Sequence, residues 1–199
     1  MLRKEFKTEI ISPVAICDVE ISNDIVQPDG SWDYTKSDII TLGIFYGNKI
    51  TILQKEKTDS LDFWKNCLRR ELESMPVMFC LNVRMEKGAV IGFLGMNRFF
   101  EEILPFVGKG CAKENLFKDL VKNNEVEKCL IPEDPLKGKS VLVLDKYAEN
   151  KYEEVILHNK SCLIKEYFIF MKRFWFLEKY KDKINKGWWN GEKPFGEHY

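Results

Sequence analysis

Short apolar runs separated by turn signals dominate the first eighty residues. The run Val14-Ala15-Ile16-Cys17-Asp18-Val19-Glu20-Ile21, bounded by Pro13 and by polar Ser22-Asn23, reads as a buried strand. A polar stretch from Ser22 to Lys36 follows, with Pro28-Asp29-Gly30 as a turn signal and Trp32 and Tyr34 as its aromatics. Asp38 to Tyr46 predicts a second strand. Gly47-Asn48 predicts a tight hairpin turn, and Lys49 to Gln54 a third strand antiparallel to the second. Thr58 and Asp59 can cap a helix reaching about Ser74, with Leu61, Trp64, Leu68 and Leu72 on one face. Pro76 to Leu81 is a fourth, short strand.

Beyond it the pattern is more helical. Gly88 to Phe106 predicts partial helix broken near Gly92 to Gly95, and Glu114 to Val121 a further helix. Lys122 to Lys139 reads as loop, with Pro132 and Asp134-Pro135. A last long helix starts near Tyr152 and runs to about Ile184 with an interruption. This order predicts one α/β domain over residues 1–184, a mixed central sheet flanked by helices, and an aromatic tail over 185–199.

Composition narrows the classes. A chain of 199 residues can bury a sizeable core, and 45% hydrophobic with 31% charged residues mark a globular protein. The formal net charge is zero, so a nucleic acid would have to be held by a local patch. The apolar runs are too short to cross a membrane, and the first residues lack the apolar core of a signal peptide. Cysteines at 17, 67, 80, 111, 129 and 162 form no Cys-x-x-Cys pair, and several lie in apolar runs; reduced thiols and a cytoplasmic setting are expected.

The candidate chemistry begins with Asp18 and Glu20. Residues two apart on a strand share a face, so these carboxylates project side by side from the end of a core strand. Like charges that close repel unless a cation neutralises them. An oxygen-rich cluster suits Mg²⁺ or Mn²⁺. The plainer alternative is a strand end with two solvated acids. Glu86, just past the fourth strand, can reach the same cluster, or it can be a helix N-terminal acid favouring the dipole. Asn82 can orient that turn or touch a substrate. Asn97-Arg98-Phe99-Phe100-Glu101 repeats the spacing, and Glu101 reads as an ordinary helix residue.

Taken in order, these features resemble the DEDD 3′–5′ exonucleases of the ribonuclease H-like superfamily, over residues 13 to about 175. Asp18-Val19-Glu20 is similar to the family's first motif, Asp-x-Glu. Asn82 to Glu86 is similar to the second, Asn-x-x-(Phe/Tyr)-Asp, with Met85 for the aromatic and Glu86 for the Asp. His158-Asn159-Lys160-Ser161-Cys162 resembles a third motif, His-Asn-x-x-Asp, with Cys162 where the last Asp is expected. The resemblance implies hydrolysis of phosphodiesters with two metal ions held by four carboxylates, of which three are in place. Cys162 is not a natural Mg²⁺ ligand, and Glu166, one helical turn on, can substitute if the helix presents that face. The resemblance further implies that His158 is a base or an orienting residue and that Asn159 lies at the substrate.

From Lys165 to Tyr199 eight Lys/Arg meet five Asp/Glu, interleaved with aromatics on which bases can stack. Phe168, Met171 and Trp175 at helical spacing read instead as core. Trp188-Trp189 is harder to bury. The expected function is a metal-dependent 3′–5′ exonuclease acting on DNA or RNA. The alternative is a degenerate, non-cutting domain that binds nucleic acid or a protein partner. A third option is an unrelated α/β protein in which the motifs coincide by chance.

Overall fold

The computed structural model describes residues 1–22, 33–75, 77–104, 113–127, 130–179 and 181. Two long extended elements organise it, β1 (Leu2–Ile21) and β2 (Ile39–Gln54). A straight strand of that length would hold the ends of β2 about 50 Å apart. Instead the Lys55 N–H donates to the Ile40 carbonyl at 2.9 Å, and the Thr41 hydroxyl donates to Gln54 Oε1 at 2.7 Å. β2 therefore folds back on itself at Gly47-Asn48, as the sequence predicts. Gly47 takes φ +59°, which suits the first central position of a tight hairpin turn.

β1 wraps the tip of that hairpin. Leu2 to Lys7 pair antiparallel with Gln54 to Lys49, and Ile16 to Ile21 pair antiparallel with Phe45 to Ile39. Register shifts between Lys7, Ser12 and Ile16 carry the chain across, with Ser12 opposite Gly47. β3 (Met78–Cys80) runs parallel to β1, and β4 (Phe100–Glu102) parallel to β3, so the sheet order is β2-β1-β3-β4. The half of β1 bearing Asp18 and Glu20 is thus central, between β2 and β3. This is an α/β fold with a mixed central sheet.

The alternation along β1 sorts the two faces. Ala15, Cys17 and Val19 join one core with α1 (Leu61–Glu73) and α2 (Val83–Leu94). Ile16 joins the other, with α3 (Lys113–Lys122), α5 (Tyr152–Met171) and α6 (Arg173–Lys179). A short α4 (Val143–Ala148) precedes α5. By the same alternation Asp18 and Glu20 face α5. Among the described residues no helix is long and apolar enough to cross a membrane.

Several elements differ from expectation. β1 begins at Leu2, not near Val14, because its first half is an edge leg in which exposed Arg3, Glu5 and Lys7 alternate with half-buried Leu2, Lys4 and Phe6. α1 is capped by Ser60, whose hydroxyl accepts from the Phe63 N–H; Asp59 instead receives the Met1 ammonium. Leu61 is exposed, while Trp64, Leu68 and Leu72 are buried. The predicted partial helix over Gly88 to Phe106 divides into α2, which starts earlier and closes at Gly95, and strand β4. Glu101 lies on that strand, exposed. The long last helix breaks at Lys172 between α5 and α6. On it Phe168 and Trp175 are half-buried against the core, and Met171 is exposed. The aromatic tail over 185–199 and Trp32 lie outside the described residues.

Candidate metal centre

β1 delivers Asp18 and Glu20 to the α5 side of the sheet, where they are 4% and 8% exposed. α5 answers with one stripe, since His158, Cys162 and Glu166 are spaced four apart and share a helix face. Asn159 flanks that stripe. It is fully buried and donates from Nδ2 to Asp18 Oδ2 at 2.7 Å. The close approach depends on Gly43, which pairs with Asp18 in the sheet; a Cβ there would overlap Asn159 Oδ1 and lie 2.7 Å from Leu163 Cδ1.

Glu86 enters from the first turn of α2. Asn82 caps that helix, its side-chain oxygen accepting from the Met85 N–H at 3.3 Å. Glu86 is 1% exposed, and its Oε2 has no hydrogen-bond partner. Glu166 is equally buried. Lys113, at the start of α3, places Nζ 2.9 Å from Asp18 Oδ1 and 2.5 Å from Glu166 Oε1. Glu166 Oε2 also has no hydrogen-bond partner.

One ammonium therefore sits between two of four buried carboxylates, and the acidity of Glu20, Glu86 and Glu166 reflects the crowding. Burial, reinforced by the charge of Asp18, pushes Glu20 up to about 8, against the opposing pull of His158 and Lys113. Burial likewise pushes Glu166 up to about 8, with Lys113 opposing and Asp18 adding to the rise. Burial and then Glu166 and Asp18 hold Glu86 well above the ordinary carboxylate range. Burial works to lower Lys113, but its acidic neighbours, Asp18 first, more than compensate and raise it. Glu86 Oε2 and Glu166 Oε2 lack a hydrogen-bond partner, and a hard divalent cation drawn in among these carboxylates would supply one.

His158 is fully buried and held from behind. Its Nδ1 lies 2.9 Å from Asp134 Oδ1. Asp134 in turn accepts the N–H groups of Leu136 at 2.9 Å and Gly138 at 2.8 Å, and Lys165 Nζ at 3.4 Å. Burial works to raise Asp134, but His158 and the Gly138 and Leu136 N–H groups outweigh it and hold Asp134 below the usual carboxylate range. The other ring nitrogen, Nε2, faces Glu20 Oε1 at 3.6 Å, Cys162 Sγ at 3.7 Å and Ser140 Oγ at 3.4 Å. Burial disfavours a charged ring, yet Asp134 and Glu20 outweigh it and raise His158.

The structure thus brings together Asp18, Glu20, Glu86, His158, Asn159, Cys162 and Glu166. Asn82 stays apart, exposed at its helix cap, and Asn159 sits behind Asp18 rather than at a surface open to substrate. No sign of Lys113 or Asp134 as site residues is legible in the sequence. Gly43 carried one, a lone glycine inside an apolar strand, which often marks close backbone approach.

A pH dependence follows from Glu20 and Glu166. Both bind a proton more tightly when folded, at about 8, than at their ordinary value of 4.5. Their contribution to metal-free stability is therefore full below about pH 4.5 and is lost as the pH rises towards 8. A cation that ionises them must expel those protons. Mn²⁺ affinity should rise with pH through this window, with proton release read by calorimetry in buffers of different ionisation enthalpy. An affinity flat across the window would exclude both residues as ligands.

No family model matches the chain, and no curated protein matches it. Among solved structures it is similar to the family B DNA polymerase from the hyperthermophilic archaeon Pyrobaculum calidifontis, with a TM-score of 0.47 and 10% sequence identity. The likeness covers 82% of this chain and 24% of that one, so the chain spans about a quarter of the polymerase's length.

Proposed function

We propose that this chain is a metal-dependent phosphodiesterase, a 3′–5′ exonuclease acting on DNA or RNA. The observation that carries the reading is the buried set Asp18, Glu20, Glu86 and Glu166, electrostatically coupled to one another and to Lys113. These four would hold Mg²⁺ or Mn²⁺. The 3′–5′ polarity comes from the sequence resemblance. When bound, such ions supply an activated water and a counter-charge for the phosphate.

The chain's own groups prepare that chemistry. Asn159 fixes the rotamer of Asp18 through its hydrogen bond, and Gly43 makes room for it. Asp134 fixes the His158 ring, so that Nε2 points at Glu20 and can take a proton from a water held there. Burial of the cluster strengthens each of these electrostatic interactions.

The direct test is a 5′-labelled single strand, DNA or RNA, incubated with Mn²⁺. Stepwise shortening from the 3′ end is expected. If the oligonucleotide binds but stays intact with Mg²⁺, Mn²⁺ and Co²⁺, the non-cutting alternative holds.

Lys113 is the observation that favours that alternative, because a tethered ammonium between Asp18 and Glu166 is a possible permanent counter-ion. Replacing it by Met separates the readings. As a competitor for the metal position, its loss should tighten Mn²⁺ binding about tenfold, roughly 1.4 kcal/mol. As a structural counter-ion, its loss should destabilise the fold by about 3–5 kcal/mol with no gain in metal binding.

A further inference from the structure

Beside the all-oxygen cluster lies a group of different chemistry. Glu20, His158 and Cys162 each offer one donor atom, and these atoms lie within 4.8 Å of one another. We infer that they form a second metal site, selective for Zn²⁺ or a similarly borderline-soft ion, sharing Glu20 with the carboxylate cluster.

The distances carry this. Zinc bonds of about 2.0–2.3 Å at tetrahedral angles put neighbouring donors about 3.3–3.8 Å apart. His158 Nε2 lies 3.6 Å from Glu20 Oε1 and 3.7 Å from Cys162 Sγ. The first separation is too long for a hydrogen bond but close to the edge of a coordination tetrahedron. Ser140 Oγ, 3.4 Å from the same nitrogen, marks the open fourth side.

The outer arrangement agrees. A ligating imidazole usually donates its other N–H to a carboxylate, which fixes the tautomer. Here His158 Nδ1 meets Asp134 at 2.9 Å, and Asp134 is itself tied to the Leu136 and Gly138 N–H groups. The loop carrying Asp134 thus aims Nε2 at the Glu20–Cys162 gap. The donor set also selects. A thiolate suits zinc and repels a preference for Mg²⁺, whereas Asp18, Glu86 and Glu166 offer oxygen alone. Binding expels the Cys162 thiol proton to solvent. It also claims the Nε2 that hydrolysis would use as a base, so zinc at this site opposes hydrolysis.

Co²⁺ added to the metal-free full chain is the probe, because cobalt bound to thiolate gives a near-ultraviolet charge-transfer band. The band should appear at one equivalent, be displaced by Zn²⁺, and vanish in Cys162→Ser. Asp134→Asn should keep it but weaken Zn²⁺ binding about 10–100-fold. Glu86→Gln should leave it intact while abolishing Mn²⁺-dependent hydrolysis, which separates this site's failure from that of the hydrolytic reading. A band that is absent, or that persists in Cys162→Ser through another cysteine, overturns the proposal. Should Cys162→Ser fail to fold, zinc-edge absorption on the wild type decides: one sulfur at about 2.3 Å supports the site, and none refutes it.

Discussion

Glu86→Gln should lower Mn²⁺-dependent hydrolysis by about a thousandfold, equivalent to about 4 kcal/mol of transition-state stabilisation, while leaving the fold intact. The two halves of this expectation have one cause. Glu86 is 1% exposed, lacks a hydrogen-bond partner at Oε2, and is driven towards its protonated form by burial, Glu166 and Asp18. Glutamine reproduces the neutral acid in shape. The metal-free protein should therefore melt at the wild-type temperature or slightly above it. What glutamine does not reproduce is an anionic ligand, so the rise in Tm on adding Mn²⁺ should shrink. Steady-state kinetics and thermal melts with and without Mn²⁺ check both. Activity within tenfold of wild type would remove Glu86 from the ligand set.

Gly43→Val should destabilise the protein by about 3 kcal/mol or more, a fall in Tm of about 6–12 °C. The strand backbone at Gly43 has no side chain, and Asn159 and Leu163 of α5 fill the space where one would stand. Valine suits strands in general, so propensity alone predicts a gain. Packing decides otherwise: α5 must shift outward, and the hydrogen bond from Asn159 to Asp18 is lost with it. Gly43→Ala should show the same effects more weakly. A valine variant that melts like wild type would mean that α5 does not dock on β2 as described.

How much of this was legible in the sequence depends on which residues speak locally. The paired acids were legible because Asp18 and Glu20 interrupt a period-2 apolar run, and that period assigns them a common face. The stripe of His158, Cys162 and Glu166 was legible as helix spacing, with Glu166 one turn beyond Cys162. The hairpin at Gly47-Asn48 was legible from turn chemistry. The edge leg Leu2–Lys7 was not, because an exposed edge dilutes its alternation with charge. β4 was hidden by its length of three residues, too short for any period. Lys113 and Asp134 reach the site only through tertiary packing. Asp134 stands 24 residues from His158 in a loop, and no local pattern links an Asp-Pro turn to a distant imidazole.

The measurement closest to the central claim is a crystal grown metal-free, soaked in Mn²⁺ and read by anomalous scattering. A peak is expected among the carboxylates of Asp18, Glu20, Glu86 and Glu166, at about 2.0–2.3 Å from the oxygens that hold it, with the Lys113 ammonium displaced from its place between Asp18 and Glu166. A map with no peak there, and Lys113 still paired to both acids at saturating Mn²⁺, would contradict that claim.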